Sequence, residues 1–315
     1  MNFDRIVSIS TVYITQSDLI KYDLKKYLEI NNFEIWDLGN FFYKNKKKYL
    51  NINNNLKINY IKKFSTYEKI KKNIKMLGKN DLIIDPFNIS NKSVFSNIIK
   101  ENKIKILQYQ LSPIPVFPRK FNFFFFIHKF IRSPKYYLNS IINFRISYLY
   151  PDYLMVVNQN YINETNYKIS KKTKIITAHS FDYIRSQSLN RSINTNLPKK
   201  FAVFLDEGVT GHPDYEYLDV NHFCNTNIYF TELQSFFKYF EYKFNLQIVI
   251  AAHPKIKYRK KNHFNKKIYF DNTMNLVKKS KVVFSHMSTS INFAVIFKKP
   301  IVFLNSKNYK SQFSN

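Results

Sequence analysis

Short apolar runs alternate with segments of helical spacing along the whole chain. In the first half, residues 5–9 form one apolar run. Residues 18–30 then carry Leu19, Ile20, Leu24, Tyr27 and Leu28 at helical intervals. Residues 33–38 alternate as a strand does, residues 81–85 are an apolar strand stopped by Pro86, residues 91–101 are helical, and 104–108 are the next strand. Pro113, Pro115 and Pro118 open a loop, and 151–157 and 174–178 are further strands. The second half repeats the pattern. Strand 201–205 precedes a helix striped with Leu233, Phe236, Phe237, Phe240 and Phe244. Strand 248–252, a short helix capped by Asn272, strand 282–284, helix 290–297 and strand 300–304 follow. Strands separated by helices predict parallel sheets. The expected fold class is α/β, with two Rossmann-like domains, residues 1–190 and 191–315, whose parallel sheets face a central cleft.

The apolar runs of the second half end in polar groups. Residues 201–205 run into Asp206, Glu207 and Gly208, residues 248–252 into His253 and Pro254, and 282–284 into Ser285 and His286, with Ser288, Thr289 and Ser290 beyond. In an open parallel sheet, ligands sit outside the carboxyl ends of the strands. One rim would therefore hold a carboxylate, an imidazole and a hydroxyl-rich helix start. Adjacent carboxylates on a strand point apart, so only one can be a base, and Asp206 is the expected one. The alternative for Asp206 is a turn-capping role before Gly208. His253 can face a phosphate oxygen or protonate a leaving group, and Pro254 fixes its turn. Ser288, Thr289 and Ser290 offer an anion site at a helix start, although an ordinary cap needs only one hydroxyl. His212, after the acidic pair, and His179 with Asp182, after strand 174–178, add polar groups that can bind substrate, as can His286.

Composition narrows the chemistry. The 315 residues are 45% hydrophobic and carry a formal net charge of +29, which predicts a globular protein attractive to polyanions. Asn, Ile, Lys, Tyr and Phe dominate, so the excess has two readings, an AT-rich coding bias or a basic surface with a function of its own. Four glycines in the whole chain exclude a Gly-rich phosphate loop. The lone Cys224 excludes an internal disulfide and fits a reducing cytoplasm. No paired metal-ligand spacing appears, so no metal is expected. No stretch has the roughly 18 apolar residues of a membrane span. Residues 119–150 mix Arg and Lys with Phe and Tyr, which suits either peripheral contact with an anionic inner membrane face or a helical hairpin packed on its own sheet.

The set Asp206-Glu207-Gly208, His253-Pro254 and Ser288-Thr289 resembles the acidic, His-Pro and Ser/Thr motifs of bacterial GT-B sialyltransferases and polysialyltransferases. The wider pattern, with His179, Asp182, His212 and His286, is similar to capsule and lipopolysaccharide biosynthesis proteins. The resemblance covers about residues 175 to 305. It implies a GT-B-like, metal-independent inverting glycosyltransferase, with no cofactor beyond a nucleotide-sugar co-substrate such as a CMP-activated sialic acid. The acceptor would be a surface glycan or lipid-linked oligosaccharide. Asp206, beside Glu207, would be the general base. His253, Ser288, Thr289 and Ser290, near Gly208, would meet the donor phosphate. His212 follows the acidic motif and competes for that role. The chain stops at Asn315, soon after strand 300–304, so the second domain is expected to be truncated or to close differently. The rival readings are a CDP-glycerol-type glycerophosphotransferase and a basic nucleic-acid-binding protein. Against the latter, the lysines are scattered and no binding motif is present, so no nucleic-acid partner is expected. The expected location is cytoplasmic, with peripheral contact at the inner membrane.

Overall fold

The computed structural model describes residues 2–14, 18–19, 32–43, 61–85, 93–112, 149–160, 162, 169–187, 196–212, 224–254, 256, 258, 262–306 and 308. Two compact units divide the chain, the first running to His179 and the second beginning at Ser180. Each is a parallel sheet of Rossmann type, as the alternation of strands and helices predicts.

In the first unit the strands are β1 (Ile6–Ser10), β2 (Phe33–Asp37), β3 (Ile61–Lys63), β4 (Leu82–Ile84), β5 (Lys105–Gln110), β6 (Tyr153–Val156) and β7 (Lys174–Thr177). Their order in the sheet is β3-β2-β1-β4-β5-β6-β7, and every described pairing is parallel. The described helices are α1 (Gly39–Phe42), α2 (Tyr67–Lys75) and α3 (Ser93–Glu101). Val7, Ile9, Trp36, Ile83 and Ile106 pack with Ile70 and Ile74 of α2 and Ile98 and Ile99 of α3. Alternation puts Ile35 and Phe33 on the other face, with Leu19.

In the second unit the strands are β8 (Phe201–Leu205), β9 (Gln247–Ala251), β10 (Ile268–Tyr269), β11 (Val282–Ser285) and β12 (Ile301–Phe303), in the order β10-β9-β8-β11-β12. The helices are α4 (Phe181–Gln187), α5 (Thr226–Phe244), α6 (Thr273–Lys279) and α7 (Ile291–Ile296). Every residue of β8 is buried, because both faces are covered. Ala202 and Phe204 meet Tyr229, Leu233, Phe237 and Phe240 of α5. Phe201, Val203 and Leu205 meet Leu276 and Val277 of α6 and Ile291, Phe293 and Ala294 of α7. A central parallel strand is apolar on both sides for this reason. At about 1.5–3 kcal/mol for each large apolar side chain buried, this strand and its neighbours anchor the unit.

Elements β3 and α2 are not expected from the sequence, and one expected cap is absent. β3 is a three-residue edge strand, half-exposed to exposed, and too short to show alternation. α2 buries only Ile70 and Ile74 among charged residues. Asn272 does not cap α6; its Oδ1 accepts from the Asn275 side-chain amide instead. α5 does have an asparagine cap, Asn225, which accepts from the backbone N–H groups of Asn227 and Ile228. Of the expected helix over 18–30, only Asp18 and Leu19 lie among the described residues. The basic aromatic segment 119–150 lies outside them except for Leu149 and Tyr150. Among the described residues, no helix is long and apolar enough to cross a membrane.

Asp37 ends β2 and closes a turn that leaves no room for a side chain. Its Oδ1 accepts from Gly39 N–H at 2.8 Å and its Oδ2 from Ile14 N–H at 3.3 Å. A Cβ on Gly39 would sit 2.6 Å from the backbone nitrogen of Tyr13. Gly39→Ala is therefore expected to destabilise the protein by about 1–3 kcal/mol in urea denaturation, because backbone rather than a flexible side chain must move. A cost under about 0.5 kcal/mol would show that the turn can shift freely.

Candidate functional site

The strand order reverses direction at β8. β9 and then β10 lie on one side of it, and β11 and then β12 on the other. This is the topological switch point of the second unit, where open α/β sheets take their ligands. Asp206 and Glu207 follow β8 directly. Successive side chains on extended chain diverge, and these two do.

Asp206 turns toward the loop after β9. Its Oδ1 accepts from Gly208 N–H at 2.9 Å, and its Oδ2 accepts from the Tyr258 hydroxyl. That hydroxyl in turn accepts from His253 N–H at 2.6 Å. Tyr258 thus links the carboxylate of one strand end to the backbone of the next. Gly208 has φ +65°, a conformation that favours glycine, and a Cβ there would press on the end of the Ile256 side chain. The same packing brings His212 beside His253, with ring centroids 4.8 Å apart. Both rings are half-buried.

Glu207 turns toward the loop after β11. Its Oε1 accepts from Ser285 Oγ at 3.1 Å, His286 N–H at 2.8 Å and Met287 N–H at 2.6 Å. The backbone donors expected to cradle a donor phosphate ahead of α7 are therefore met in part by the protein's own carboxylate. Ser290 lies just before α7 but makes no side-chain cap bond. Its N–H donates to Ser288 Oγ at 3.2 Å, and Ser288 N–H donates to Ser285 Oγ at 3.1 Å. Ser288, Thr289 and Ser290 are each half-buried.

The remaining expected residues are placed differently. His286 is 5% exposed. Its Nδ1 lies 2.7 Å from the Leu304 carbonyl and its Nε2 lies 3.1 Å from the Tyr229 hydroxyl. A carbonyl only accepts, so Nδ1 carries the proton and Nε2 accepts from the tyrosine. With both nitrogens spent inside the unit, His286 is a core histidine, and the substrate contact expected of it finds no ring nitrogen here. Asp182, on α4, accepts from the Asn292 side-chain amide at 3.1 Å and so braces α4 against α7. His179 is exposed at the end of the first unit, two residues past β7.

Burial sets the electrostatics. Desolvation raises the Asp206 pKa despite hydrogen bonds from Tyr258, Gly208 and Glu207. Desolvation, with the Asp206 charge beside it, pushes the Tyr258 phenol well above its usual range. Burial lifts Glu207 from 4.5 to about 7, outweighing its donors from Met287, Ser285 and His286. Burial lowers His286, which favours the neutral ring its hydrogen bonds require. Cys224 is buried and its thiol is also raised by desolvation, so it is a small core residue. Among the described residues, no group of three or more His, Cys, Asp or Glu side chains could hold a metal ion.

Tyr258 is the residue that sequence reasoning misses. The only signal was its place five residues beyond His253 in a Lys-rich loop, one of 24 tyrosines in the chain. The turn-capping alternative for Asp206 is the arrangement found, and the first unit repeats it: Asp37 with Gly39 at the end of β2 has the same Asp-x-Gly hydrogen bond as Asp206 with Gly208.

No family model and no curated protein matches the chain. Solved structures do share its fold. It is similar to UDP-N-acetylglucosamine 2-epimerase from Rickettsia bellii, at 16% identity and a TM-score of 0.51, over 98% of this chain and 81% of that one. S. aureus MnaA in a structure with UDP gives 13% identity and a TM-score of 0.50, over 96% and 80%. Phytolacca americana UGT2, complexed with UDP-2fluoro-glucose and pterostilbene, gives 8% identity and a TM-score of 0.51, over 98% and 82%. At these identities the shared property is the GT-B-like pair of parallel-sheet units.

Two measurements test the roles of Tyr258 and Glu207. Tyr258→Phe removes one hydroxyl but strands both the buried Asp206 oxygen and His253 N–H. It should cost about 1–3 kcal/mol in denaturant unfolding, and a neutral effect would show that the link carries no load. Glu207 binds its proton more tightly folded than unfolded. Its stability contribution is therefore full below 4.5 and lost as the pH rises through about 7. His286, with a lowered pKa, acts in the opposite sense, losing stability as the pH falls below 6.5. Glu207→Gln should therefore remove a decline of up to about 1.4 kcal/mol per pH unit across that window relative to wild type, read as melting temperature against pH.

Proposed function

We propose that the protein is a nucleotide-sugar-dependent enzyme, and within that class a glycosyltransferase working by inversion without a metal. The observation that carries this reading is the joining of three strand-end loops at the β8 switch point. Asp206, through Tyr258, holds the His253 turn, and Glu207 holds the turn that leads to Ser288. The relatives in fold whose names mention UDP or UDP-N-acetylglucosamine support the donor class.

In this reading the acceptor hydroxyl attacks the anomeric carbon, and the bonding pair leaves with the nucleotide phosphate. The half-buried imidazoles of His253 and His212 are the titratable side chains beside that phosphate. In this reading one meets the developing charge and the other takes the acceptor's proton. The Ser288 hydroxyl, oriented by accepting from Ser290 N–H, adds a donor. Asp206 acts as the support of this group, since both its oxygens accept hydrogen bonds. A base role for it would require the Tyr258 hydroxyl to yield.

A second reading, epimerisation of a nucleotide sugar, is favoured by two structures of similar fold, one of a UDP-N-acetylglucosamine 2-epimerase and one of a candidate for that activity. The donor sugar, whether UDP- or CMP-linked, and the surface-glycan acceptor belong to the same proposal.

A thermal-shift panel of UDP, CMP, CDP and GDP tests the donor class. The cognate nucleotide at a hundredfold over its Kd should stabilise by about 2.7 kcal/mol. His253→Ala should shrink that shift, whereas the absence of a shift from every nucleotide would sink the reading. Mass spectrometry then separates the chemistries. Transfer adds a sugar's mass to an acceptor and frees the nucleotide, while epimerisation of UDP-N-acetylglucosamine leaves its mass unchanged.

A further inference from the structure

The end of the second sheet opposite the candidate site is lined with lysine. Lys199 and Lys200 precede β8, Lys281 precedes β11, and Lys298 and Lys299 precede β12, while Lys279 ends α6. β8, β11 and β12 are neighbours, so their starts lie about 4.8 Å apart. Lys281 N–H donates to the Phe201 carbonyl and Val283 N–H to the Pro300 carbonyl, each at 2.9 Å, which fixes these starts side by side. Lys299 is half-buried and the other five lysines are exposed. Segments 196–201, 273–284 and 291–303 contain no Asp or Glu. Glu241, on the last turn of α5, is engaged by Lys266. Helix dipoles account for Lys279 and Lys281 at the end of α6 and for Lys298 at the end of α7, but not for Lys199 and Lys200 ahead of β8.

We propose that this rim docks on an anionic phospholipid bilayer. The apolar groups beside the charge favour a bilayer over nucleic acid. Val295, in the last turn of α7, is 65% exposed, and Val302 on the edge strand β12 is 42% exposed. Lys278 lies over the Phe297 ring, 5.7 Å from its centroid. The three segments contain no arginine, the residue suited to gripping phosphates in a bidentate fork. Lysine is a point charge, suited to a diffuse negative surface. Each lysine held near an anionic leaflet raises partition by about fivefold, and clusters of this size are the usual reach of the effect. The rim occupies the amino ends of strands whose carboxyl ends carry Asp206 and Ser285, so docking leaves the candidate site uncovered. The proposal does not depend on which reaction that site performs.

Co-sedimentation of the full chain with vesicles tests it. One set is pure phosphatidylcholine and the other is one-third phosphatidylglycerol. Binding is expected to the anionic vesicles only, and to fall as salt rises above about 0.1 M. Lys281→Glu with Lys299→Glu should weaken that binding at least tenfold, about the effect of losing two contacts. Lys199→Glu with Lys200→Glu should do the same. Lys72→Glu with Lys75→Glu, on α2 of the first unit, changes the total charge equally and should retain most of the binding. Melting temperatures check that every variant is folded. Equal losses from all three variants would trace the effect to total charge and overturn the assignment, as would failure to bind anionic vesicles. Tighter binding of a DNA duplex than of vesicles, lost in the rim variants, would reassign the surface to nucleic acid.

Discussion

Two adjacent carboxylates after β8, a strand buried along its whole length, hold together the loops at the carboxyl end of the second unit's sheet. β8 lies between β9 and β11, and an extended chain sends Asp206 and Glu207 to opposite sides. Each finds donors in the loop of a different neighbour: Asp206 through Tyr258 to the His253 turn, and Glu207 directly to His286 and Met287. A buried carboxylate is costly unless its oxygens are satisfied. Both carboxyls are raised in pKa by burial even with these partners. The loops are thus fixed by groups that would be strongly destabilising if the loops moved away. That constraint sets where the imidazole pair and the Ser288 hydroxyl stand.

The same device appears in the first unit with a different tie. Asp37 closes the Gly39 turn after β2 and also accepts from Ile14 N–H, in the loop beyond β1. In both sheets an aspartate at a strand end caps a glycine two residues on and reaches a neighbouring loop. Glycine serves each turn for its own reason: Gly39 because Tyr13 fills the space beside it, Gly208 because its φ is positive and Ile256 packs against it. A chain with four glycines spends two of them at these turns.

The histidines show how far burial decides chemistry. His253 and His212 sit half-buried with their rings side by side. His286, also at a strand end, faces inward against Phe204 and Tyr229. One residue of register separates a rim side chain from a core one, since alternate side chains on an extended chain face opposite ways. In sequence all three look alike, each a histidine directly after an apolar run or in the loop beyond it. The short lysine-bearing strand starts likewise gained meaning only when β8, β11 and β12 proved to be neighbours.

The alternation of apolar runs and helical stripes sufficed by itself to determine the α/β class, the parallel sheets, and which strand ends carry polar groups. These follow from local periodicity and from the rule that parallel strands need crossover helices. Short or charged elements such as β3 and α2 escaped, because β3 has no buried position and the two in α2 make no period. The tertiary structure alone decided what each polar group does. The Tyr258 link, the occupation of the Ser285–Ser288 turn by Glu207 and the inward face of His286 all depend on contacts between residues 5 to 81 positions apart. Hydrogen-bond partners at such separations are chosen by packing, and no local pattern encodes them.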